Sequence, residues 1–259
     1  MNNAQRSHSC EIITKERVSA AGWRFVLAAP EVAAQASPGQ FVHILTDGKP
    51  LRRPISLCGF SPGHGTVTIV FEARGEGTAW LAERRRGEKL DLLGPLGWGF
   101  IPPRGEGKII IVGGGIGTPP LLPLAGLYGG RAVVLLGFRS KDFVILEDDF
   151  AATGAAVRVS TDDGSYGRKG FITGPLGEEL ALGGVSQIYA CGALPMLRLV
   201  ASAADAAGVP CQISMEERMG CGIGACLVCA CKTRSGGGEE YRHVCKDGPV
   251  FDSAEVVFE

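Results

Sequence analysis

Hydrophobic and polar residues alternate in short runs over the first hundred residues, which predicts β-strands rather than helices. Turns rich in glycine and proline separate these runs, as at Ser37-Pro38-Gly39 and Ser61-Pro62-Gly63. The predicted strands cover residues 10–18, 23–28, 40–45, 54–58, 66–71 and 89–93. Six strands at this spacing favour a small antiparallel barrel, with one helix-like run at 79–84.

The pattern changes near residue 102, where a stretch of proline and glycine precedes a continuous apolar run, Lys108-Ile109-Ile110-Ile111-Val112. Such a run is typical of a buried parallel strand. Further strands are predicted at 132–137, 155–160, 187–190 and 211–214, and helices at 121–128, 176–182 and 194–207. Alternating strands and helices indicate a Rossmann-like α/β domain. The fold is therefore predicted to be multidomain, with a barrel at 1–102, an α/β domain at 103–214 and a small C-terminal module at 215–259.

Composition narrows the class of protein. The chain is 45% hydrophobic and 20% charged, so it can bury real cores, and its net charge of −1 gives no argument for nucleic acid as a partner. No apolar run approaches the roughly 20 residues that span a bilayer. Residues 1–8 lack the apolar segment of a secretory signal. Together with nine cysteines, this predicts a reducing, cytoplasmic compartment and bound metal.

Four cysteines near the end of the chain have the C-x4-C-x2-C…C spacing of plant-type [2Fe–2S] proteins. They are Cys221, Cys226, Cys229 and Cys245. Gly222 and Gly224 can supply backbone conformations that a loop around a cluster needs. Zinc sites usually pair their cysteines as C-x2-C twice, and only one such pair is present here. Disulfides would need an exporting context, of which the sequence gives no sign. Cys231 is a rival ligand to Cys229, but the C-x4-C-x2-C spacing favours Cys229.

Two segments of the barrel region have the chemistry of an anion site. Arg53 offers a rigid guanidinium fork, Pro54 fixes the backbone and Ser56 offers a hydroxyl. Gly77 and Thr78 precede a helix, where backbone N–H groups can approach a phosphate, although Thr78 can instead simply cap that helix. Together the two segments suggest the pyrophosphate site that a flavin dinucleotide requires.

The α/β region contains a second candidate nucleotide site. A glycine loop follows the first apolar strand, and its candidate residues are Gly113, Gly114, Gly115, Gly117 and Thr118. Strand, glycine loop and helix form the dinucleotide-binding arrangement, but Thr118 stands where the third glycine of G-x-G-x-x-G belongs. Cys191 and Gly192 lie at another strand end, where ligands of open α/β sheets collect. Arg139 and Ser140 follow the second strand in place of an acidic residue, which leaves NADP open as the coenzyme.

The order of these motifs resembles the ferredoxin–NADP reductase superfamily: R-P-x-S, then G-x-G-T, then a glycine loop, then C-G-x-x-P-M. The C-terminal segments 216–226 and 243–251 resemble the electron transfer subunits of NAD-linked dihydroorotate dehydrogenase. The resemblance covers essentially the whole chain from about residue 8.

That resemblance implies FAD on the barrel, NAD(H) on the α/β domain and a [2Fe–2S] cluster held by the four cysteines. It also implies a partner, the FMN-containing catalytic subunit that oxidises dihydroorotate, in an α2β2 assembly. The FAD contacts carried over by position are Arg53, Pro54, Ile55, Ser56, Val70, Phe71, Glu72, Gly77 and Thr78. Electrons would then pass from FMN through the cluster and FAD to NAD+, in pyrimidine biosynthesis, and no histidine has a catalytic role.

One segment departs from the pattern. The family commonly has I-Y-R before G-x-G-T, whereas this chain has Val70-Phe71-Glu72. Phe71 can still pack on a ring, Glu72 cannot pair with pyrophosphate, and Arg74 can substitute for the missing arginine.

Two other classes of function stay open on the sequence. One is another FAD/[2Fe–2S] reductase subunit, acting on ferredoxin, sulfide or an oxygenase. Its ferredoxin and sulfide members tend to replace the first cluster cysteine with an acidic residue, which Cys221 argues against. The other is a non-enzymatic protein, redox-sensing or stabilised by zinc, that kept the fold and lost the flavin.

Overall fold

The computed structural model of the chain describes residues 7–258. Residues 1–6 and 259, at the outer ends of the first and last predicted domains, lie outside the described residues, as does most of the N-terminal segment considered above. Two units can be distinguished. The first contains the chain up to Gly99 with Glu216–Cys231 and Arg242–Pro249; the second contains Phe100–Met215, Lys232–Tyr241 and the chain from Val250. Within 7–258, every helix is too short or too polar to cross a membrane.

The first unit contains a closed six-stranded antiparallel barrel, as predicted. Its strands are β1 (Ser7–Arg17), β2 (Gly22–Ala28), β3 (Phe41–Ile44), β4 (Arg53–Ser61), β5 (Thr66–Glu72) and β6 (Lys89–Leu96). Around the barrel they follow the order β1-β2-β5-β4-β3-β6. Two helices accompany them, α1 (Pro30–Ala33) and α2 (Glu76–Glu83). Closure leaves no unpaired strand edge in the barrel.

Alternation along the strands explains the barrel core. Apolar side chains at every second position fill the interior, where each large one contributes about 1.5–3 kcal/mol by leaving water. Phe25 and Phe71 meet edge to face there, with ring centroids 5.2 Å apart. Strand β3 differs from the others because all four of its residues are buried. Val42 and Ile44 belong to the core, so the cover over the alternate residues must come from outside the barrel.

The second unit is built around one seven-stranded sheet. Its strands are β7 (Lys108–Gly114), β8 (Ala132–Phe138), β9 (Ala156–Thr161), β10 (Arg168–Lys169), β11 (Val185–Cys191), β12 (Cys211–Ser214) and β15 (Val250–Asp252). Across the sheet they follow the order β10-β9-β8-β7-β11-β12-β15. All neighbours are parallel except β15, which runs antiparallel to β12. The helices are α3 (Leu122–Tyr128), α4 (Glu147–Ala151), α5 (Thr173–Ala181) and α6 (Leu194–Ala206). This is the predicted Rossmann-like arrangement.

The strand order places a crevice beside β7. Successive strands β8 and β9 lie on one side of β7, whereas β11 and β12 lie on the other. Such a reversal of strand order opens a space at the carboxyl ends of the strands, which is where open α/β sheets bind ligands.

The structure contains three short elements that the sequence pattern did not predict, α1, α4 and β10. It also departs from the prediction in the glycine loop and in the C-terminal segment. The helix predicted at 121–128 starts as α3 at Leu122, after two short 3-10 turns at Gly115–Gly117 and Pro119–Leu121. Pro119 and Pro120 have no N–H groups to donate within a helix. The C-terminal strands were not predicted: β13 (Ala230–Ser235) and β14 (Gly238–His243) form a two-stranded sheet, and β15 joins the large one.

Candidate iron–sulfur and nucleotide sites

The four predicted cysteine ligands lie together in the first unit as two sulfur pairs. The Sγ atoms of Cys221 and Cys226 are 3.4 Å apart, and those of Cys229 and Cys245 are 3.3 Å apart. Two thiolates bound tetrahedrally to one metal at about 2.3 Å would lie about 3.8 Å apart, close to these values. Within 7–258, no three metal-binding side chains converge on a single point. Two pairs match the needs of a two-iron centre, one iron per pair.

Backbone N–H groups of the loop point at the sulfurs. Gly224 donates to Cys245 Sγ at 3.1 Å, and Ala225 donates to Cys221 Sγ at 3.2 Å. Gly222 and Gly224 have φ of +75° and +77°, a region that side chains rarely adopt. Space is also lacking, since a Cβ on Gly224 would lie 2.6 Å from the Lys246 side chain. The loop is therefore shaped to direct amide dipoles toward anionic sulfur.

The pKa values of the cysteines differ according to their surroundings. Burial opposes ionisation of Cys221, but hydrogen bonds from backbone groups of Ile223, Cys226 and Ala225 lower its pKa to about 6. Burial and the neighbouring Cys229 raise the pKa of Cys245 to about 12. A buried pair of thiols repels itself when both ionise, and a bound cation relieves that repulsion. The donor set thus fits a metal centre.

Cys231, the rival ligand, belongs to neither sulfur pair. It is 5% exposed, and burial, with Glu217 nearby, raises its pKa to about 11. A thiol with a raised pKa in an apolar setting is chemically inert. Its position supports Cys229 as the ligand.

The cluster segment contacts the barrel region at His43 and at Gly97-Trp98, just after β6. Gly222 lies so close to His43 that an added Cβ would be 2.5 Å from His43 Nδ1. Beyond Cys245, the N–H of Trp98 donates to Gly248 O at 2.6 Å. A Cβ on Gly97 would collide with the same oxygen at 2.6 Å. Sequence reasoning missed these contacts, because nothing in the sequence links a barrel histidine to a distant glycine.

His43 is wholly buried, and burial lowers its pKa to about 4, so its ring is neutral near pH 7. Peptide groups of Arg52 and Cys221 lie beside the ring and favour its charged form. Among the described residues, neither ring nitrogen has a hydrogen-bond partner of normal geometry.

The predicted flavin motifs lie side by side. Arg53, at the start of β4, crosses over Gly77, at the start of α2, so that a Cβ there would lie 2.2 Å from Arg53 Nε. Arg53 Nη1 is held by the backbone carbonyls of Leu51, at 2.6 Å, and Arg52, at 3.2 Å. A fixed guanidinium beside a helix N-terminus forms an anion cradle, which fits the pyrophosphate of a dinucleotide.

Thr78 and Glu72 have local partners. Thr78 Oγ1 accepts hydrogen bonds from the N–H groups of Arg74 and Gly75 at 3.0 and 3.1 Å, so it caps α2. Glu72 is 9% exposed and forms a 2.6 Å salt bridge with Arg74 Nε. Arg74 therefore neutralises Glu72, and its 60% exposed side chain is already paired.

The remaining predicted flavin residues divide between the two faces of the barrel. Ile55 and Phe71 belong to the core, and Phe71 packs against Phe25. Val70 is buried at 3% but lies outside the core cluster. Alternation along β4 puts Pro54 and Ser56 on the outer face, where both are half-buried.

The predicted coenzyme residues meet at the crevice of the second unit. Gly113 pairs with Cys191 across β7 and β11. A Cβ on Gly117 would lie 2.6 Å from Gly192 N and Cα, and one on Gly114 would lie 2.5 Å from Met196 Sδ. Glycine thus lets the two strand-end loops approach each other closely at the carboxyl ends of β7 and β11, where open α/β sheets bind ligands. Met196, which ends the C-G-x-x-P-M motif, is an additional residue of this crevice.

Two other residues complete the description of this unit. Gly115 has φ of +52° and open space around it. Thr118, at the third glycine position, is fully buried, and among residues 7–258 its hydroxyl has no hydrogen-bond partner. Arg139, after β8, is exposed and its guanidinium lies 5.2 Å from the ring centroid of Phe143.

Comparison with known proteins gives consistent results. Residues 216–257 match the family described as the iron–sulfur cluster binding domain of dihydroorotate dehydrogenase B. The chain is 40% identical over 257 residues to the "Dihydroorotate dehydrogenase B (NAD(+)), electron transfer subunit" of Geobacillus thermodenitrificans (strain NG80-2), covering 95% of this chain and 96% of that one. It is 41% identical over 263 residues to the subunit of the same name from Bacillus caldolyticus, covering 95% and 100%.

One solved structure is similar to this chain over nearly the whole length of both. It comes from work on flavin-based electron bifurcation by an NADH-dependent reduced ferredoxin-NADP oxidoreductase. The TM-score is 0.87 and the identity 30%, with 97% of this chain and 90% of that chain covered.

Proposed function

The chain belongs to the family of dihydroorotate dehydrogenase B (NAD(+)) electron transfer subunits, and we propose that it passes electrons from the FMN of a separate catalytic subunit to NAD+ in pyrimidine biosynthesis. FAD and a [2Fe–2S] cluster are its resident cofactors, and NAD+ is its substrate. The observation that carries the proposal is the arrangement of four cysteines as two sulfur pairs, packed on a barrel with an anion cradle.

The residues of the chain bind the cofactors and the dinucleotide and orient them. When bound, FAD exchanges single electrons with an iron–sulfur cluster and electron pairs with nicotinamide. The cluster and nicotinamide each take part in only one of these two kinds of transfer. Cys221, Cys226, Cys229 and Cys245 would hold the cluster, and Arg53 with Gly77 would hold the FAD pyrophosphate. The crevice between Gly113–Gly117 and Cys191-Gly192 would hold the dinucleotide. No proton-transfer residue is required of this subunit.

We further propose that the tip of the cluster loop faces the catalytic subunit, in an α2β2 assembly. Ile223, Leu227 and Val228 are exposed by 39%, 77% and 54% beside the cluster ligands. Apolar side chains at the surface typically mark protein contacts when they cluster. Electrons cross only short gaps, so the partner must approach here.

Introducing a charge into the apolar tip tests this contact. Leu227→Glu is expected to weaken co-purification with the catalytic subunit and to slow dihydroorotate-dependent NAD+ reduction by about tenfold or more, since a buried unpaired charge is costly at an interface. Leu199→Glu is the control, on an exposed α6 residue at 53% exposure. Equal activity of the two variants would contradict the docking assignment.

The first experiment on the whole proposal is the visible spectrum of the purified chain before and after anaerobic NADH. Flavin bands with a broad iron–sulfur absorption, bleached by NADH, are expected. The chain alone is expected to reduce artificial acceptors with NADH but not to oxidise dihydroorotate, which needs the catalytic subunit. A colourless protein, or a flavin that NADH cannot reduce, would contradict the proposal.

The relatives are named for NAD(+), so NADH is expected to have a lower KM than NADPH despite Arg139. A KM for NADPH equal to or below that for NADH would reassign the coenzyme. We place the chain in the cytoplasm, since none of its nine cysteines, all within residues 7–258, forms a disulfide and four of them are the proposed cluster ligands, as a reducing compartment allows.

Reduction of ferredoxin is a second candidate function. Its support is the fold match to the NADH-dependent ferredoxin-NADP oxidoreductase, at 30% identity. Reduction of ferredoxin by NADH through the purified chain, with no gain from a dihydroorotate dehydrogenase catalytic subunit, would favour it.

A further inference from the structure

His43 lies on the outer face of the barrel, yet its side chain is fully buried. Its neighbours along β3, Val42 and Ile44, point into the core, so His43 points outward. The cluster segment supplies the cover, because Gly222 approaches the imidazole too closely for any side chain. The loop that carries Cys221 is therefore packed directly on this ring.

The same ring borders the strand assigned to FAD. His43 is paired directly opposite Pro54 in the antiparallel β3–β4 ladder. Directly paired residues of neighbouring strands have their side chains on the same face, about 5 Å apart at Cβ. Pro54 belongs to the segment that begins with Arg53, the proposed pyrophosphate residue. His43 thus stands between the proposed flavin strand and the proposed cluster loop.

The backbone of His43 is held in place from a third side. Arg52 Nη1 donates to His43 O at 3.1 Å and to Asp91 O at 3.2 Å, and it forms a 2.7 Å salt bridge with Asp91 Oδ1. This ties β3 to β6 behind the ring. A buried polar group without a good hydrogen bond is costly and calls for an explanation. A role beside the cofactors supplies one.

We propose that His43 is a positioning residue for electron transfer, whose imidazole fixes the Cys221–Gly222 segment against the FAD-binding strand and so sets the environment of the iron–sulfur centre. The proposal rests on the proposed function, because it requires both cofactors. It predicts that changes at His43 alter the properties of the cluster, and not merely the stability of the barrel.

The test uses the full chain, purified anaerobically as wild type, His43→Phe and His43→Asn. Iron and FAD per chain, the electron paramagnetic resonance spectrum of the reduced cluster and its midpoint potential are measured. Potentials of iron–sulfur centres respond to hydrogen bonding and solvent exposure around the sulfurs. His43→Phe is expected to keep iron and FAD but to shift the spectrum and the potential. His43→Asn, which keeps a polar side chain at this buried position, is expected to shift them less.

Two control variants separate positioning from packing. Val42→Ala weakens the core from the other face of β3, and His64→Phe changes an exposed histidine of the same barrel. Both are expected to leave the spectrum and the potential of the cluster unchanged. Wild-type spectra and potentials in His43→Phe at full cofactor loading would overturn the inference and leave the proposed function standing. A wild-type chain without iron would overturn both.

A double-mutant cycle provides a second test that keeps its meaning if His43→Phe folds poorly. Gly222→Ala alone introduces a collision with the ring and a strained backbone, whereas in a His43→Ala background only the backbone strain remains. The loss of iron per chain caused by Gly222→Ala is therefore expected to be smaller in that background. An equal loss in both backgrounds would show that the ring and the loop do not act together, against the proposal.

Discussion

At the scale of single residues, Gly77 gives the sharpest prediction. Gly77→Ala would place a methyl group 2.2 Å from Arg53 Nε, so the guanidinium must leave the anion cradle. Gly77 has no unusual φ, so backbone strain adds nothing. We expect FAD affinity to fall at least about tenfold, or about 1.4 kcal/mol, with the barrel intact. The measurement is the dissociation constant for FAD from flavin fluorescence.

Gly63→Ala is the matched control for that substitution. Gly63 lies in the turn between β4 and β5 of the same barrel, and an added Cβ would meet nothing within 4 Å. It is expected to bind FAD like the wild type. Tight FAD binding by Gly77→Ala would show that Arg53 does not hold the cofactor.

The carboxylate of Asp91 predicts a pH dependence of barrel stability. Burial raises the pKa of Asp91, but hydrogen bonds from Arg52 and Ser7 outweigh it and bring the pKa below its ordinary value. A lowered pKa stabilises the folded state above the unfolded value of about 3.9, and that stabilisation is lost as the pH falls through the folded pKa. The contribution is therefore complete near neutrality and disappears only in acid.

Asp91→Asn tests this linkage. We expect the variant to be less stable than wild type at pH 6, with the difference shrinking below about pH 4. Urea unfolding followed by tryptophan fluorescence reports on the first unit, which contains all three tryptophans, Trp23, Trp80 and Trp98. A stability difference that does not change with pH would contradict the assignment.

The roles of single residues could be predicted from the sequence where the spacing of a motif indicates them. The four cysteines were predicted as cluster ligands from C-x4-C-x2-C and one distant partner, and the structure brings their sulfurs together as two pairs. His43 could not be identified, since its burial depends on a loop nearly 180 residues away along the sequence. The contact of Phe71 with a cofactor ring stays a prediction, and its packing against Phe25 in the barrel core could not be read from the motif.

At the scale of elements, the crevice between β7 and β11 predicts a separable coenzyme site. A Cβ on Gly117 would lie 2.6 Å from the backbone of Gly192, and backbone cannot swing aside as a side chain can. We expect Gly117→Ala to raise the KM for NADH at least about tenfold in an assay with an artificial acceptor. FAD and iron content should stay at wild-type levels, because they belong to the first unit.

Gly126→Ala is the control within the same region. Gly126 lies inside α3 with nothing within 4 Å of an added Cβ. Alanine is a better helix former than glycine by up to about 1 kcal/mol, so this variant is expected to be slightly more stable and fully active. A common change of KM in both variants would show that the crevice does not hold the coenzyme.

Elements were predictable where periodicity decides them. Alternating runs defined the six barrel strands, and continuous apolar runs defined the parallel strands. The C-terminal strands were not predicted, because the local pattern of apolar and polar residues does not determine them. β15 has three residues and owes its place to pairing with β12. The division into domains at residues 102 and 214 stays a prediction, and the C-terminal segment contributes residues to both units.

At the scale of the whole molecule, the proposed function separates into two half-reactions that need different parts of the chain. Oxidation of NADH requires the coenzyme crevice and the flavin cradle. Exchange with the catalytic subunit also requires the cluster. Damage confined to the cluster ligands should therefore abolish one activity and spare most of the other.

Cys226→Ser and Cys231→Ser form the matched pair that tests this separation. Cys226 shares a sulfur pair with Cys221, whereas Cys231, two residues beyond Cys229, belongs to neither pair. Cys226→Ser is expected to lose most of its iron and its dihydroorotate-dependent NAD+ reduction with the catalytic subunit. It should retain NADH-dependent reduction of an artificial acceptor, because FAD still binds. Cys231→Ser should keep both activities and wild-type iron content.

Two outcomes would contradict these expectations. Loss of iron in Cys231→Ser with retention of iron in Cys226→Ser would reassign the ligand set. Parallel loss of both activities in Cys226→Ser would show that the two half-reactions do not work independently.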